Sequence, residues 1–132
     1  MKVLFTASVM GHITGFHIPY MQYFKDRGFA VHIACGPGAA PACADRHFII
    51  GFERSPFKLQ NISAYRALKK VIRENGYDII HCHTPVASVL TRLAARRARK
   101  HGTVVIYTAH GFHFYQGAPR LSAFIYRTVE KR

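Results

Sequence analysis

Three short strings carry the residue types that could do chemistry: "SVMGHITGFH" with His12 and His17, "HCHTP" with His81 and His83, and "HGFHF" with His110 and His113. Near neutral pH an imidazole can donate to a phosphate or sugar oxygen, or ligate a metal. The His-Cys-His triplet raises the metal question first. In an extended strand successive side chains point to opposite faces, so His81 and His83 share one side and Cys82 takes the other. The triplet therefore cannot close on one ion, although His81 and His83 could do so with help from His110 or His113. No CxxC pair, HExxH string or carboxylate cluster accompanies them, and no metal site is expected. Cys82 reads as a small buried apolar residue.

These strings need elements to position them. "KVLFTA" is a short β-type run closed by the glycine-bearing loop "SVMGHITG", and Ile18, Met21 and Phe24 recur at helical spacing between about Phe16 and Asp26. "FAVHIAC" and "HFIIGF" read as the next two strands. Asn61 or Ser63 is expected to cap a helix that ends at Gly76, with Tyr65, Leu68 and Ile72 on one face and Arg66, Lys69, Lys70 and Arg73 on the other. "YDIIHCH" is a fourth strand, residues 86–100 a third helix, and "TVVIYTAH" a fifth strand. Nearly all-apolar strands that alternate with helices predict an α/β chain: a Rossmann-like parallel sheet covered by helices on both faces. Such sheets bind ligands at the carboxyl ends of their strands, where "SVMGHITG", "HCHTP" and "HGFHF" all fall.

At 132 residues the chain has the length of one ordinary domain. Its 49% hydrophobic and 19% charged residues predict a folded globular chain. Three cysteines without paired spacing point to a reducing cytoplasm. Lys plus Arg exceed Asp plus Glu by 19 to 6, a net charge of +13, which favours phosphate-bearing partners. Arg92, Arg96 and Arg99, with Lys100 beside them, are spaced along one expected helix face without balancing acids. Each such residue near an anionic leaflet contributes about 1 kcal/mol, so this face is a candidate membrane contact. No apolar run reaches the roughly 18 residues of a membrane-spanning helix. The amphipathic run at 121–132 ends without a cap, so a longer natural chain is expected.

The strings "KVLFTASVMGHITGFHIPYMQYFKDRGFAVHIAC", "FERSPF", "NISAYRALKKVI", "YDIIHCHTPVASVLTRLAAR" and "VIYTAHGFHFYQGAP" occur in an order that resembles the N-terminal half of bacterial exopolysaccharide and capsular glycosyltransferases of glycosyltransferase family 4. That resemblance spans almost the whole chain. It implies residues 1–132 as a single lobe of a GT-B fold, the N-terminal acceptor-side lobe, whose C-terminal donor lobe has no counterpart here. It further implies a retaining transfer from a nucleotide-sugar, usually UDP-linked, to a polyprenyl-diphosphate-linked sugar at the cytoplasmic face of the cell membrane. No tightly bound cofactor and no essential metal are implied.

Matched onto the family's pattern, Gly11 and His12 border the donor diphosphate, although many members carry a glycine doublet where this chain has Gly-His. His110 corresponds to the histidine that contacts the transferred sugar, the candidate catalytic residue. His83 and Thr84 match the mouth of the acceptor cleft, and His17, Gly111 and His113 are further candidate substrate contacts. The Glu-x7-Glu motif of the donor lobe is absent, so the isolated chain is expected to have little transferase activity. The competing reading is a stand-alone basic α/β module that binds nucleic acid or another polyanion. Against it, the aromatic residues are not interleaved with Lys and Arg along one groove, and no specific nucleic-acid partner is expected.

Overall fold

A computed structural model describes residues 1–110 of the chain. Gly111, His113 and the amphipathic run 121–132 therefore lie outside the described residues. Five strands form one sheet: β1 (Lys2–Thr6), β2 (Ala30–Cys35), β3 (Arg46–Ile49), β4 (Ile79–His83) and β5 (Val104–Thr108). All neighbours pair in parallel in the order β3-β2-β1-β4-β5. The order reverses at β1, which places a crevice between the carboxyl ends of β1 and β4.

Alternation along the central strands divides the core into two layers. Val3 and Phe5 of β1 join Val31, Ile33 and Cys35 of β2 on one face, under helices α1 (Met10–Phe16) and α2 (Ile18–Asp26), which contribute Met10, Ile13 and Met21. Leu4, Ala34 and Ile80 point to the opposite face. There they meet Ala64, Leu68 and Ile72 of α3 (Gln60–Asn75), Ala94 of α4 (Pro85–Ala94), and Ala95, which precedes α5 (Arg96–Lys100). The expected parallel sheet with helices on both faces is the one observed.

Several boundaries differ from the sequence reading, each for a local reason. The segment "SVMGHITG" is not a loop throughout, because α1 begins at Met10 and includes Gly11 and Gly15. The helix expected over Phe16–Asp26 is preceded by this extra turn and broken at His17. Pro19 explains the break: it has no amide to donate to the Gly15 carbonyl, and its ring is tolerated only in the first turn of the new helix α2. Likewise the helix expected over 86–100 divides at Ala95 into α4 and α5. Gly76, at φ 63°, closes α3 as expected and donates its N–H to the Ile72 carbonyl. The third strand is shorter than "HFIIGF" and ends at Ile49.

Neither Asn61 nor Ser63 caps α3, whose N-cap position is Leu59. Asn61 is instead buried in the first turn and holds the preceding loop. Its Oδ1 accepts from the Glu53 N–H at 2.9 Å, and its Nδ2 donates to the Ser55 carbonyl at 2.9 Å. Replacing it with alanine strands buried backbone groups, so Asn61→Ala is expected to cost on the order of 1–3 kcal/mol. Urea denaturation measures this directly, and an unchanged midpoint would show that the loop finds other partners.

Candidate functional site

The break at His17 and the strand end at His83 converge on one side of the crevice. His17, between α1 and α2, donates its N–H to the Ile13 carbonyl at 2.9 Å, and its side chain is 1% exposed. His83, the last residue of β4, is 0% exposed. Their rings stack with centroids 3.6 Å apart. His12 of α1 lies 5.1 Å from His17 and 4.5 Å from His110, ring centre to ring centre. His110 comes two residues after the end of β5, exposed at the crevice rim, with its Nε2 3.2 Å from Nδ1 of His83. Four elements thus bring four imidazoles together, each offering one nitrogen within 4.8 Å of all the others.

Phe5 forms the floor of the cluster. Its ring is stacked on His83 at 6.2 Å and tilted against His81 at 5.5 Å. Side-chain alternation puts His81 and His83 on the same side, as expected, with ring centres 4.1 Å apart. His81 is nevertheless not one of the four converging imidazoles, since its Nε2 is engaged with the Thr108 hydroxyl at 2.7 Å. The observed convergence is His12, His17, His83 and His110, in place of the His81 and His83 pairing weighed from the sequence. Cys82 is buried on the other face, its thiol donating to the Ile106 carbonyl at 3.2 Å.

The electrostatics follow from burial and crowding. Burial first, then the neighbouring His12, His110 and His81, lowers His17 to about 4. Burial and then His110 lower His81 to about 4, and burial with the four other imidazoles lowers His83 to about 2. His12 is lowered as well, by burial and then by His110. At neutral pH these rings are uncharged. Each offers one N–H and one lone pair, so the set can meet the hydroxyls of a ligand or, through its lone pairs, a metal ion.

Beside the histidines a cleft of about 300 Å³ is lined by Ser8, His12, Arg54 and Thr84 together with Val86 at the start of α4. Thr84 has φ 64°, a left-handed conformation that is costly for a β-branched residue. Two contacts to Ser8 hold it there: the Ser8 N–H donates to Thr84 Oγ1 at 3.1 Å, and the two hydroxyls lie 2.9 Å apart. The strain aims the start of α4, the positive end of its dipole, at the cleft that Arg54 also lines. Sequence reasoning found Thr84 but missed Ser8 and Arg54. Arg54 lies in the loop "ERSPF", whose flanking Glu53 and Ser55 backbone groups are held by Asn61.

The remaining described candidates do not line the cleft. Gly11 is exposed on α1, with open space where a side chain would start. Arg96, Arg99 and Lys100 are exposed with Arg97 around a shallow basic depression. Arg92, on α4 before the break at Ala95, is not among the residues around that depression. It is half-buried instead, its guanidinium 4.9 Å from the Tyr107 ring centre and its Nε donating to the Ser88 carbonyl.

A family model described as "Glycosyl transferase 4-like" matches residues 2–132. The chain belongs to that glycosyl transferase 4-like family. Over 130 residues it is 53% identical to a Bacillus subtilis (strain 168) protein named "Putative glycosyltransferase EpsD", covering 98% of this chain and 34% of EpsD. A second relative is the Escherichia coli enzyme named UDP-Gal:alpha-D-GlcNAc-diphosphoundecaprenol alpha-1,3-galactosyltransferase, 31% identical over 81 residues, which are 57% of this chain and 20% of that enzyme. The chain thus spans about a third or less of the length of these relatives. In fold it is similar to the C-terminal domain of a Pyrococcus furiosus hydrogenase, at a TM-score of 0.54 and 15% identity over 80% of this chain and 89% of that domain. That likeness concerns the α/β architecture alone.

Proposed function

We propose that the chain is the acceptor-side lobe of a nucleotide-sugar-dependent glycosyltransferase that builds cell-surface polysaccharide, exopolysaccharide or capsule, on a lipid-linked acceptor. The observation that carries this reading is the convergence of His12, His17, His83 and His110 with the cleft of Ser8, Arg54 and Thr84 at one sheet edge. In this reading His110 contacts the transferred sugar from the rim. Gly11 and His12 border the diphosphate of the donor, a UDP-sugar. His17, His83 and Thr84 line the acceptor side, where a sugar hydroxyl finds neutral imidazoles. A second lobe, carrying most of the donor contacts, faces this edge, and transfer proceeds with retention. The reading has no essential metal and no tightly bound cofactor in the transfer step.

The acceptor lipid, a polyprenyl-diphosphate-linked sugar, is presented at the inner face of the cell membrane. No helix among the described residues is long and apolar enough to cross it. A peripheral contact is supported by a groove between α3 and α4 that joins apolar and basic groups. Phe57 (72% exposed), Leu59 (81%) and Ile62 (53%) stand out of it, and Arg96 closes its edge. Arg96, Arg97, Arg99 and Lys100 extend the basic surface from there. Apolar side chains can enter the headgroup region while the cations meet anionic lipid.

Flotation of the chain with anionic liposomes, with and without a polyprenyl-diphosphate-linked sugar, tests the reading. Tighter binding that partly survives high salt when the lipid-linked sugar is present is the expected result. Binding that ignores that lipid and vanishes with salt would leave a generic basic surface. Much tighter, salt-sensitive binding of DNA of arbitrary sequence under the same conditions would favour the polyanion-binding alternative instead.

A further inference from the structure

The histidine cluster has more unpaired nitrogen than a sugar contact needs. His12 Nε2, both ring nitrogens of His17 and His83 Nε2 are buried without a hydrogen-bond partner among the described residues. Buried polar groups in folded proteins are nearly always satisfied, so four such atoms in one place call for a ligand. The ring arrangement indicates which kind. Around a tetrahedral ion with metal–nitrogen bonds of about 2.0–2.1 Å, imidazole centres lie roughly 5 Å apart. Of the six pairs here, five fall between 4.5 and 6.0 Å: His12–His17, His12–His83, His12–His110, His17–His110 and His83–His110. The sixth, the His17–His83 stack at 3.6 Å, must open by about 1.5 Å for both rings to point at a common centre.

We propose that His12, His17, His83 and His110 form an all-imidazole site for a borderline divalent transition-metal ion, with Zn²⁺ as the first candidate. Nitrogen-only ligation selects zinc, nickel or copper and disfavours magnesium and calcium, which require oxygen. Because no carboxylate among the described residues belongs to the set, the +2 charge is uncompensated there in a strongly basic protein. Binding is therefore reversible, not that of a permanent structural ion. The exposed His110 supplies the entry path. Metal binding itself does not depend on the transferase reading. Its consequence does: an ion held by His110 occupies the place assigned above to the transferred sugar, so zinc inhibits turnover instead of supporting it.

Tag-free, chelator-treated protein titrated with Co²⁺ tests the site without any activity assay. The expected result is one equivalent bound, the intense visible absorption of tetrahedral cobalt, and displacement by Zn²⁺. His12→Gln should weaken binding at least about tenfold, the scale at which even supporting groups of metal sites act. His17→Ala should do the same, and His101→Ala, remote from the cluster, should not. Since His17 is buried, the half-exposed His12→Gln keeps the test sound if His17→Ala fails to fold. Weak octahedral absorption, binding left unchanged by His12→Gln, or no saturation at millimolar cobalt would each overturn the site. Flotation on lipid-linked sugar is unaffected by these outcomes, so the two readings can fail separately.

Discussion

Chelator-treated protein is expected to lose stability steeply as the pH falls from about 6.5 toward 4, and to unfold within that window. The folded-state values of His17 and His81 are lowered to about 4 and that of His83 to about 2, chiefly by burial and then by neighbouring imidazoles. An unfolded histidine titrates near 6.5. Between these values the unfolded chain binds more protons than the folded one, so stability rises with pH and falls as acid is added. The contribution is complete above 6.5 and is lost progressively toward the folded values. Each pH unit per group corresponds to about 1.4 kcal/mol. Three groups together therefore remove on the order of several kcal/mol by pH 4, comparable with the ~5–15 kcal/mol that holds a typical domain folded.

The groups facing one another in the cluster are His12, His17, His81, His83 and His110, and among the described residues no carboxylate acts on His17, His81 or His83 to offset the effect. Urea midpoints measured at pH 7.5, 6, 5 and 4 in EDTA check the expectation. A midpoint that stays flat down to pH 4.5 would mean that the rings protonate without cost, hence that the crevice is wetter than its geometry implies.

Truncating Phe5 should be nearly as damaging. Its ring is 0% exposed and meets Phe24 edge-on at 6.1 Å while supporting His17, His81 and His83 from below. Phe5→Ala removes an entire buried ring from a strand fixed by neighbours on both sides. The expected loss is about 3–5 kcal/mol. Phe5→Leu, which keeps most of the volume, should cost less than about 1.5 kcal/mol. The ratio of the two losses in urea denaturation is informative. Equal losses would show that ring contacts to the histidines matter more than filled space. A small loss for alanine would show that α1 and α2 collapse onto the sheet.

Much of the architecture was legible before any coordinates. The apolar runs around Phe5, Ile33 and Ile80 are buried strands because period-two alternation leaves no polar face, and a sheet with two apolar faces demands helices on both. Gly76 was legible as a stop because few other residues accept its backbone angle without strain. His81 and His83 were legible as partners on one side, since strand geometry alone requires it. The family also followed from local strings, whose order along the chain is itself a property of sequence.

What escaped a linear reading were features set by two elements at once. Helix α1 escaped because its Gly11 and Gly15 read as parts of a loop after the first strand. Asn61 read as a cap because its residue type favours caps, but the loop packed over it offered better partners. Arg92 matched Arg96 and Arg99 in spacing, but its guanidinium lies over the Tyr107 ring.

The sequence by itself determined the layers, the doubly wound class of the sheet and the edge at which a ligand is expected, because these depend on periodicity and on the fixed handedness of parallel connections. Only the tertiary structure decided that His12, His17, His83 and His110 converge while His81 turns to Thr108. Those four residues are separated by up to 98 positions along the chain. Their meeting depends on the register of β4 against β1 and β5 and on the angle at one helix break, quantities that no local pattern encodes.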